Sequence, residues 1–446
     1  MSIKVSFTAS LLVVAAGWSV AQPVPEVSLA QALQAARQNI EVALAQRSLA
    51  AAQADIRAAD RAPVPVLSGK LSQMDLQHGL GAGNVLTQKR IDKAIGLDWT
   101  WERGNKRALR TQAATAAALA AQADVDDVRL QQLLATHAAY FDTLASQERA
   151  EQIQALAHSA RQLADTAALR LKVGDLAAQD ASRTEIEAER ARTDVVSAQL
   201  DQQQTALALA QLMGRNGGNT PAALKVVSEW PSLQASTANY AIKTEVIPRL
   251  TSAPLTVGEL LPLVEARADV RAAQARVQAA RALADNASAL KTADITVGSS
   301  IDHYPGTSTR LLELRAQMPL QGFLGGYNYE GEIARALATQ AQAQDLLEKT
   351  RLLALTDLQR QQQALQAAAQ RVQSFATDIV PRARKVAELA ELAYQRGALS
   401  LTDLLDARRT LRATLLDSIG ARADHARAQG AWALRTAPAT VPGAQP

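Results

Sequence analysis

Two periodicities divide the chain. A helical spacing of apolar residues starts at Leu29, with Ser28 at the N-cap position, and runs through Ile40, Leu44 and Leu49 to about Ala59; Pro63 and Pro65 end it. Ile91, Ile95, Leu97, Trp99 and Trp101 then occupy odd positions, against Asp92, Ala94, Gly96, Asp98, Thr100 and Glu102 at even ones. A strand turns that alternation into one apolar and one polar face. A less regular partner is predicted over 66–78, and Gly79-Leu80-Gly81-Ala82-Gly83-Asn84 between them forms a loop, giving a strand hairpin over 66–102. The helical period returns near Gly104 and lasts to about Val173, which at 1.5 Å per residue is about 100 Å of helix. One of its stripes is Leu130, Leu133, Leu134, His137, Phe141 and Leu144, and a second long helix follows from Ala177 to Met213.

Residues 214–255 contain Pro221, Pro231, Pro248 and Pro254 and interrupt the pattern as a linker. The same order then recurs over 256–435. A helix opens at Val257; Ile295, Val297 and Ile301 and then Leu312, Leu314, Ala316 and Met318 alternate with polar residues as a strand hairpin over 294–320; Gly322, Gly325 and Gly326 precede another long helix. That helix carries a seven-residue seam, Leu358, Leu365, Val372 and Ile379, of the kind that packs coiled coils, and Pro381 is expected to kink or interrupt it. After Gly397 a last helix bears Leu404, Leu411, Leu415 and Ile419 and ends near Arg435; the Pro- and Ala-rich tail 436–446 is expected to be disordered.

The recurrence extends to individual residues. Gly174, Leu176 and Asp180 reappear 223 positions later as Gly397, Leu399 and Asp403, and Arg161, Ala164, Ala167 and Leu169 reappear as Arg384, Ala387, Ala390 and Leu392. Glu41-Val42 and Ala45-Gln46 correspond to Asp269-Val270 and Ala273-Gln274 at an offset of 228, so the two halves differ by a small insertion. A tandem duplication, 22–213 and 256–435, accounts for this, with a tight turn at Gly174 in one half and at Gly397 in the other.

Composition sharpens the picture. Apolar residues make up 48% of the 446, yet aromatics only 3%, so Ala and Leu carry the burial; this suits long, closely packed helices better than a thick globular core. The 47 basic and 43 acidic residues are interspersed, and no basic run with stacking aromatics points to nucleic acid. Cysteine is absent, which removes disulfides and thiolate metal sites. The five histidines, His78, His137, His158, His303 and His425, are scattered, and neither a metal-ligand spacing nor a phosphate loop nor a nucleophile elbow occurs. No enzyme, cofactor or metal centre is therefore expected. Residues 1–21 have the form of a secretory signal, with Lys4, an apolar core over 7–17 and Ser19-Val20-Ala21 at the cleavage positions.

Four strands with one apolar face, near the roughly 9–11 residues that cross a bilayer when tilted, pose a physical problem. An open sheet cannot sit in lipid, because its edge donors and acceptors would be unpaired. Three identical chains would close a 12-stranded barrel and satisfy every edge. In such a barrel Trp99 and Trp101 fall in the interfacial aromatic girdle; the other reading makes them core residues of an ordinary sandwich.

In this order the duplicated helix, hairpin and helix plan, Ala-Asp-Val-Arg-Ala-Ala-Gln-Ala-Arg-Val at 268–277, Met318-Pro319-Leu320, Ile379-Val380-Pro381 and above all Tyr394 to Asp406 resemble the TolC family of trimeric outer-membrane efflux proteins. That resemblance covers roughly 28–435. It implies a mainly α chain with a membrane β-barrel, closed by three subunits and continued by a long α-helical coiled-coil barrel through the periplasm of a Gram-negative bacterium. It also implies a periplasmic adaptor protein and an inner-membrane pump of the resistance-nodulation-division type as partners, with outer-membrane lipid around the barrel. By position it makes Gly174, Leu176, Arg396, Gly397 and Leu399 adaptor-contacting hairpin tips, Asp403 and Asp406 constricting acidic rings, and Tyr394 with Asp180 a pair that holds the closed state. A basic gate residue expected two places after the second glycine is Leu399 here. Asp403 and Asp406, three apart, share a helical face, where the alternative role is a helix cap. The heavy-metal (cobalt-zinc-cadmium) efflux branch is the expected subgroup. The competing readings are a secreted coiled-coil protein without a pore and the duct of a type I protein secretion system.

Overall fold

The computed structural model describes residues 26–72, 77, 91–214, 224–231, 255–304, 308–320 and 327–437. The signal segment 1–21, His78, the loop 79–84, most of 214–255, the glycines at 322, 325 and 326 and the tail from 438 lie outside them.

The first half runs through β1 (Glu26–Val27), α1 (Leu29–Ala36), α2 (Ile40–Ala59), β2 (Val66–Ser72), β3 (Asp92–Trp101), α3 (Lys106–Lys172) and α4 (Ala178–Leu212). A short β4 (Lys225–Val226) pairs in parallel with β1. The second half repeats the plan with α5 (Val257–Ala266), α6 (Ala268–Ala289), β5 (Ile295–Tyr304), β6 (Ser308–Gln317), α7 (Glu330–Ser374), α8 (Val380–Gln395) and α9 (Leu401–Thr436).

Two local features differ from the sequence expectation. The opening helix is broken in both halves. Asn39 is the N-cap of α2: its side chain accepts from the Glu41 amide at 3.1 Å and donates to the Leu212 carbonyl at 2.8 Å, so a tertiary contact stabilises the break. In the second half Arg267 is extended between α5 and α6 (φ −65°, ψ 144°), with its guanidinium on Asp269 and Asp357. Of the strand expected over 66–78, Val66–Ser72 is observed, and 73–76 and 78 lie outside the described residues. At Pro381 the helix widens instead of stopping: Phe375–Ile379 form a π turn, in which the Val380 amide reaches the Phe375 carbonyl five residues back. Proline lacks an amide donor and its ring crowds the carbonyl four residues earlier, and a wider turn relieves both effects. The predicted seam fades towards this point: Leu358 and Leu365 are buried, Val372 is half-buried and Ile379 is exposed.

The four longer strands form one antiparallel sheet in the order β2-β3-β5-β6, the two hairpins joining through β3 and β5. Its faces are inverted relative to a water-soluble sheet. On the apolar face Leu67, Ile95, Leu97, Val297, Ile301, Leu312 and Leu314 are exposed, with Trp99 and Trp101 at 56% and 61%. Shelter goes to the polar face, where Asp92 and Asp302 are only 6% and 4% exposed. That face is lined by small residues. Asp98 lies opposite Gly298, which lies opposite Arg315, so the Asp98 carboxylate pairs with Arg315 across β5 where a side chain would stand in its way. Trp99 and Trp101 are thus not core residues of a sandwich within this chain.

The helices form the rest of the molecule. The upper part of α3 packs on α2 and α6, and its lower part on α4 and α9. Alanine dominates the contact faces, with Ala113, Ala116, Ala120 and Ala123 of α3 and Ala272, Ala275, Ala280 and Ala282 of α6 all buried. Small side chains bring helix axes to the close end of the usual 8–10 Å range. Larger apolar residues concentrate at mid-height, where Tyr140, Phe141, Leu144, Leu209 and Met213 enclose Val27 and Val226 of the small parallel sheet. His137 and His425 are packing residues of this region, and burial lowers the His137 imidazole to about 4. Among the described residues no helix is long and apolar enough to cross a membrane.

Candidate functional site

The end of the molecule opposite the sheet is built by two copies of one turn. In the first, Gly174 adopts φ 81°; its amide donates to the Leu171 carbonyl at 3.0 Å and the Asp175 amide to the Arg170 carbonyl at 2.9 Å. In the second, Gly397 adopts φ 73°; its amide donates to the Tyr394 carbonyl at 3.0 Å and the Ala398 amide to the Ala393 carbonyl at 2.9 Å. Both are Schellman closures, in which a left-handed residue satisfies the last helical carbonyls, and glycine takes that conformation without a Cβ penalty. Both glycines face open space, so nothing but backbone geometry requires them.

The turns differ in how the next helix begins. Ala177 precedes α4 without a side-chain cap, whereas Ser400 caps α9 by accepting from the Asp403 amide at 3.2 Å. The Ser400 hydroxyl also donates to the Asp403 carboxylate at 2.7 Å. Within one chain Asp403 therefore acts in a cap, and its carboxylate remains exposed. Asp406, one turn on, pairs with Arg409 at 3.3 Å.

Arg409 also reaches Glu187 of α4, and Arg412 reaches Asp194, so two ion pairs tie the second hairpin to the first. Arg183 of α4 adds a hydrogen bond to Thr402 at 3.3 Å and an ion pair to Asp180 at 3.6 Å. Hydrogen bonding to Glu187, reinforced by its charge and that of Asp406, raises the Arg409 guanidinium above its ordinary value. Between α4 and α9 lies a groove of about 210 Å³ whose lining includes Ile186, Leu405, Asp406 and Arg409.

Tyr394 and Asp180 are not joined by a hydrogen bond. Arg170 lies over the Tyr394 ring, 5.8 Å from its centroid, and donates to its hydroxyl at 3.4 Å while holding Asp175 at 2.8 Å. Arg170 therefore bridges the two tips, a role that no sequence motif announced. Leu399, where a basic residue was expected, packs with Leu163 and Tyr394 against Ala390, Leu401 and Leu404. It contributes to a small tip core in place of a polar latch. Leu176 is half-buried and Arg396 exposed at the two tips.

A sheet with its apolar side outward is continued by a long helical wall that ends in paired hairpin tips. The protein-family model described as outer membrane efflux protein matches residues 29–215. No curated protein matches the sequence. Among solved structures, the outer membrane protein VceC of Vibrio cholerae superposes with a TM-score of 0.71 at 20% identity, covering 92% of this chain and 96% of that one. CusC gives 0.74 at 17% identity over 94% and 95% of the two chains, and the open-state outer membrane channel MtrE of Neisseria gonorrhoeae 0.70 at 18% over 92% and 88%. These likenesses establish a common fold. Over residues 29–215 the chain is similar to the outer membrane efflux protein family, and over nearly its whole length it shares the fold of these solved channels.

Proposed function

We propose that three copies of this chain form the exit duct of a tripartite efflux system, carrying small solutes from a periplasmic adaptor and an inner-membrane pump to the exterior. The observation that carries this reading is the inverted sheet: exposed Leu, Ile, Val and Trp on one face, sheltered Asp, Ser and Gly on the other, and two strand edges, β2 and β6, without a partner among the described residues. Lipid on the apolar side and water on the polar side satisfy the two faces, and neighbouring copies satisfy the edges. Threefold closure would bring six Schellman tips to one end, where Gly174, Leu176, Arg396, Gly397 and Leu399 offer a repeated surface to an adaptor. It would also convert Asp403 and Asp406 into rings of carboxylates at the aperture, which attract cations and repel one another.

Among the described residues of one chain no three His, Cys, Asp or Glu side chains are grouped to hold a metal ion, so the reading extends to small solutes in general and to metal cations as one class of them. The ion-paired hairpins favour a gated duct over a rigid coiled-coil rod. Detergent-resistant trimers that conduct ions across planar bilayers are the expected result. A monomeric, water-soluble, non-conducting product would overturn the proposal.

A further inference from the structure

Several cations lie where the sheet meets the helical wall, and three of those on the segment 103–110 are paired with carboxylates. Lys106 holds Asp294 at 2.8 Å and the Thr292 carbonyl at 2.8 Å, Arg107 holds Asp60 at 3.0 Å, and Arg110 forks onto both oxygens of Glu102. Arg103, on the same segment, has no carboxylate partner among the described residues. Its amide donates to Asp294 at 2.9 Å, and the contact its guanidinium makes among them is to the Met318 thioether, at 3.9 Å and a weak acceptor.

Its position gives this charge a meaning. Arg103 follows Trp99 and Trp101 at the same two-residue spacing, and Met318 continues the apolar positions Leu312 and Leu314 of β6. Trp101 is opposite Ile295, so a guanidinium that reaches Met318 crosses β5 on the sheet's outer face. Arg103 follows the inner strand β3, and its guanidinium reaches across β5 to the residue that follows the edge strand β6. The ten residues of β3 rise about 30 Å along the strand, and at a tilt near 40° they span about 23 Å of the barrel axis, close to the height of an apolar barrel band. The guanidinium therefore lies just beyond that band, next to two exposed tryptophans and the exposed Met318 and Leu320.

We infer that Arg103, beneath the Trp99–Trp101 girdle, is a binding site for the phosphodiester of a membrane phospholipid in the leaflet nearer the helical wall. The inference rests on the proposed insertion of the apolar face in lipid. Guanidinium and phosphate match in charge and forked geometry, while Met318, Leu320 and the indoles cover the start of the acyl chains. The site fixes the depth of the barrel and ties the junction of sheet and wall to the membrane surface.

The test uses the full-length assembly in nanodiscs of phosphatidylethanolamine and phosphatidylglycerol, with lipid retained after release read by native mass spectrometry. One arginine near a lipid surface is worth roughly a fivefold change in affinity. Retention should fall by about that factor in Arg103→Gln, fall less in Arg103→Lys, which keeps the charge but loses the fork, and be unchanged in Arg107→Gln, which removes an equal but already paired charge. Added inorganic phosphate should not displace the lipid. Equal retention in wild type and Arg103→Gln, an equal fall in Arg107→Gln, or displacement by inorganic phosphate would each overturn the site. A protein that never enters the nanodisc would instead overturn the membrane reading on which it rests.

Discussion

Replacing Arg409 by Gln tests whether ion pairs between the hairpins hold the tips in place. The Arg409 side chain is 55% exposed and Glu187 22%, and Arg412 and Asp194 are 33% and 40% exposed. Exposed pairs contribute roughly 0.2–1 kcal/mol; after screening by solvent about 0.5 kcal/mol each is a fair figure here. In a trimer Arg409→Gln removes three such pairs, about 1.5 kcal/mol, enough to move an open-to-closed ratio by roughly tenfold. Adding Arg412→Gln doubles the energy to about 3 kcal/mol and takes the ratio beyond roughly a hundredfold. Conductance of purified channels in planar bilayers should rise in that order, and high salt should raise wild-type conductance in the same direction by screening the pairs. If the double variant forms normal trimers yet conducts and responds to salt as wild type does, these pairs do not restrain the aperture.

Three further outcomes follow from named groups. Gly397→Ala and Gly174→Ala, each placing a Cβ at positive φ, should cost roughly 1–2 kcal/mol and to a similar degree, because the two turns are alike; denaturant unfolding checks this, and an unchanged midpoint for either would refute the backbone argument. The buried His137 imidazole, at about 4 against an ordinary 6.5, binds its proton more readily in the unfolded chain. Stability should therefore be full above about pH 6.5 and fall as pH drops towards 4, by up to roughly 3 kcal/mol per chain, and His137→Gln should flatten that part of a melting-temperature profile. Asp403→Ala with Asp406→Ala should raise conductance and weaken block by divalent cations; unchanged block would remove both from the constriction.

Much of the architecture was legible in the sequence because it rests on periodicity and duplication. The odd-even alternation of Ile95 to Trp101 placed a strand, and the recurrence of Gly174 as Gly397 placed two equivalent turns. What escaped was set by contacts between distant segments. Asn39 is a favoured N-cap residue and so a local hint of the break, but the Leu212 carbonyl that holds its side chain lies 173 residues away and cannot be read from the local sequence. Pro381 announced a disturbance, but whether the helix kinks or takes up a π turn is decided by which carbonyl the Val380 amide can reach. At the tips the acidic residues were visible from the resemblance, while Arg170, Arg183, Arg409 and Arg412 were not. The only available signal was the spacing of Asp406 and Arg409, three apart, which marks a local pair but not the second partner Glu187.

The two halves share one turn but have diverged around it, and the divergence bears on how the tips could move. α3 is a single helix of 67 residues, whereas its counterpart is divided into α7, a π turn and α8. On the α7–α8 side no side chain is buried between Ala368 and Ala387, and on α9 none between Leu404 and Ile419. Over that interval the second hairpin is linked to the first by exposed ion pairs, which yield to salt, and not by an apolar core, which would not. Below it, Leu163, Leu399, Leu401 and Leu404 hold the tip together as a unit. A packed tip, a weakly packed stretch and a widened helical turn on one hairpin only give the second hairpin more freedom than the first. If the tips rearrange, bending at Phe375–Ile379 is the route that disrupts the fewest buried contacts, since a π turn already departs from regular helical bonding.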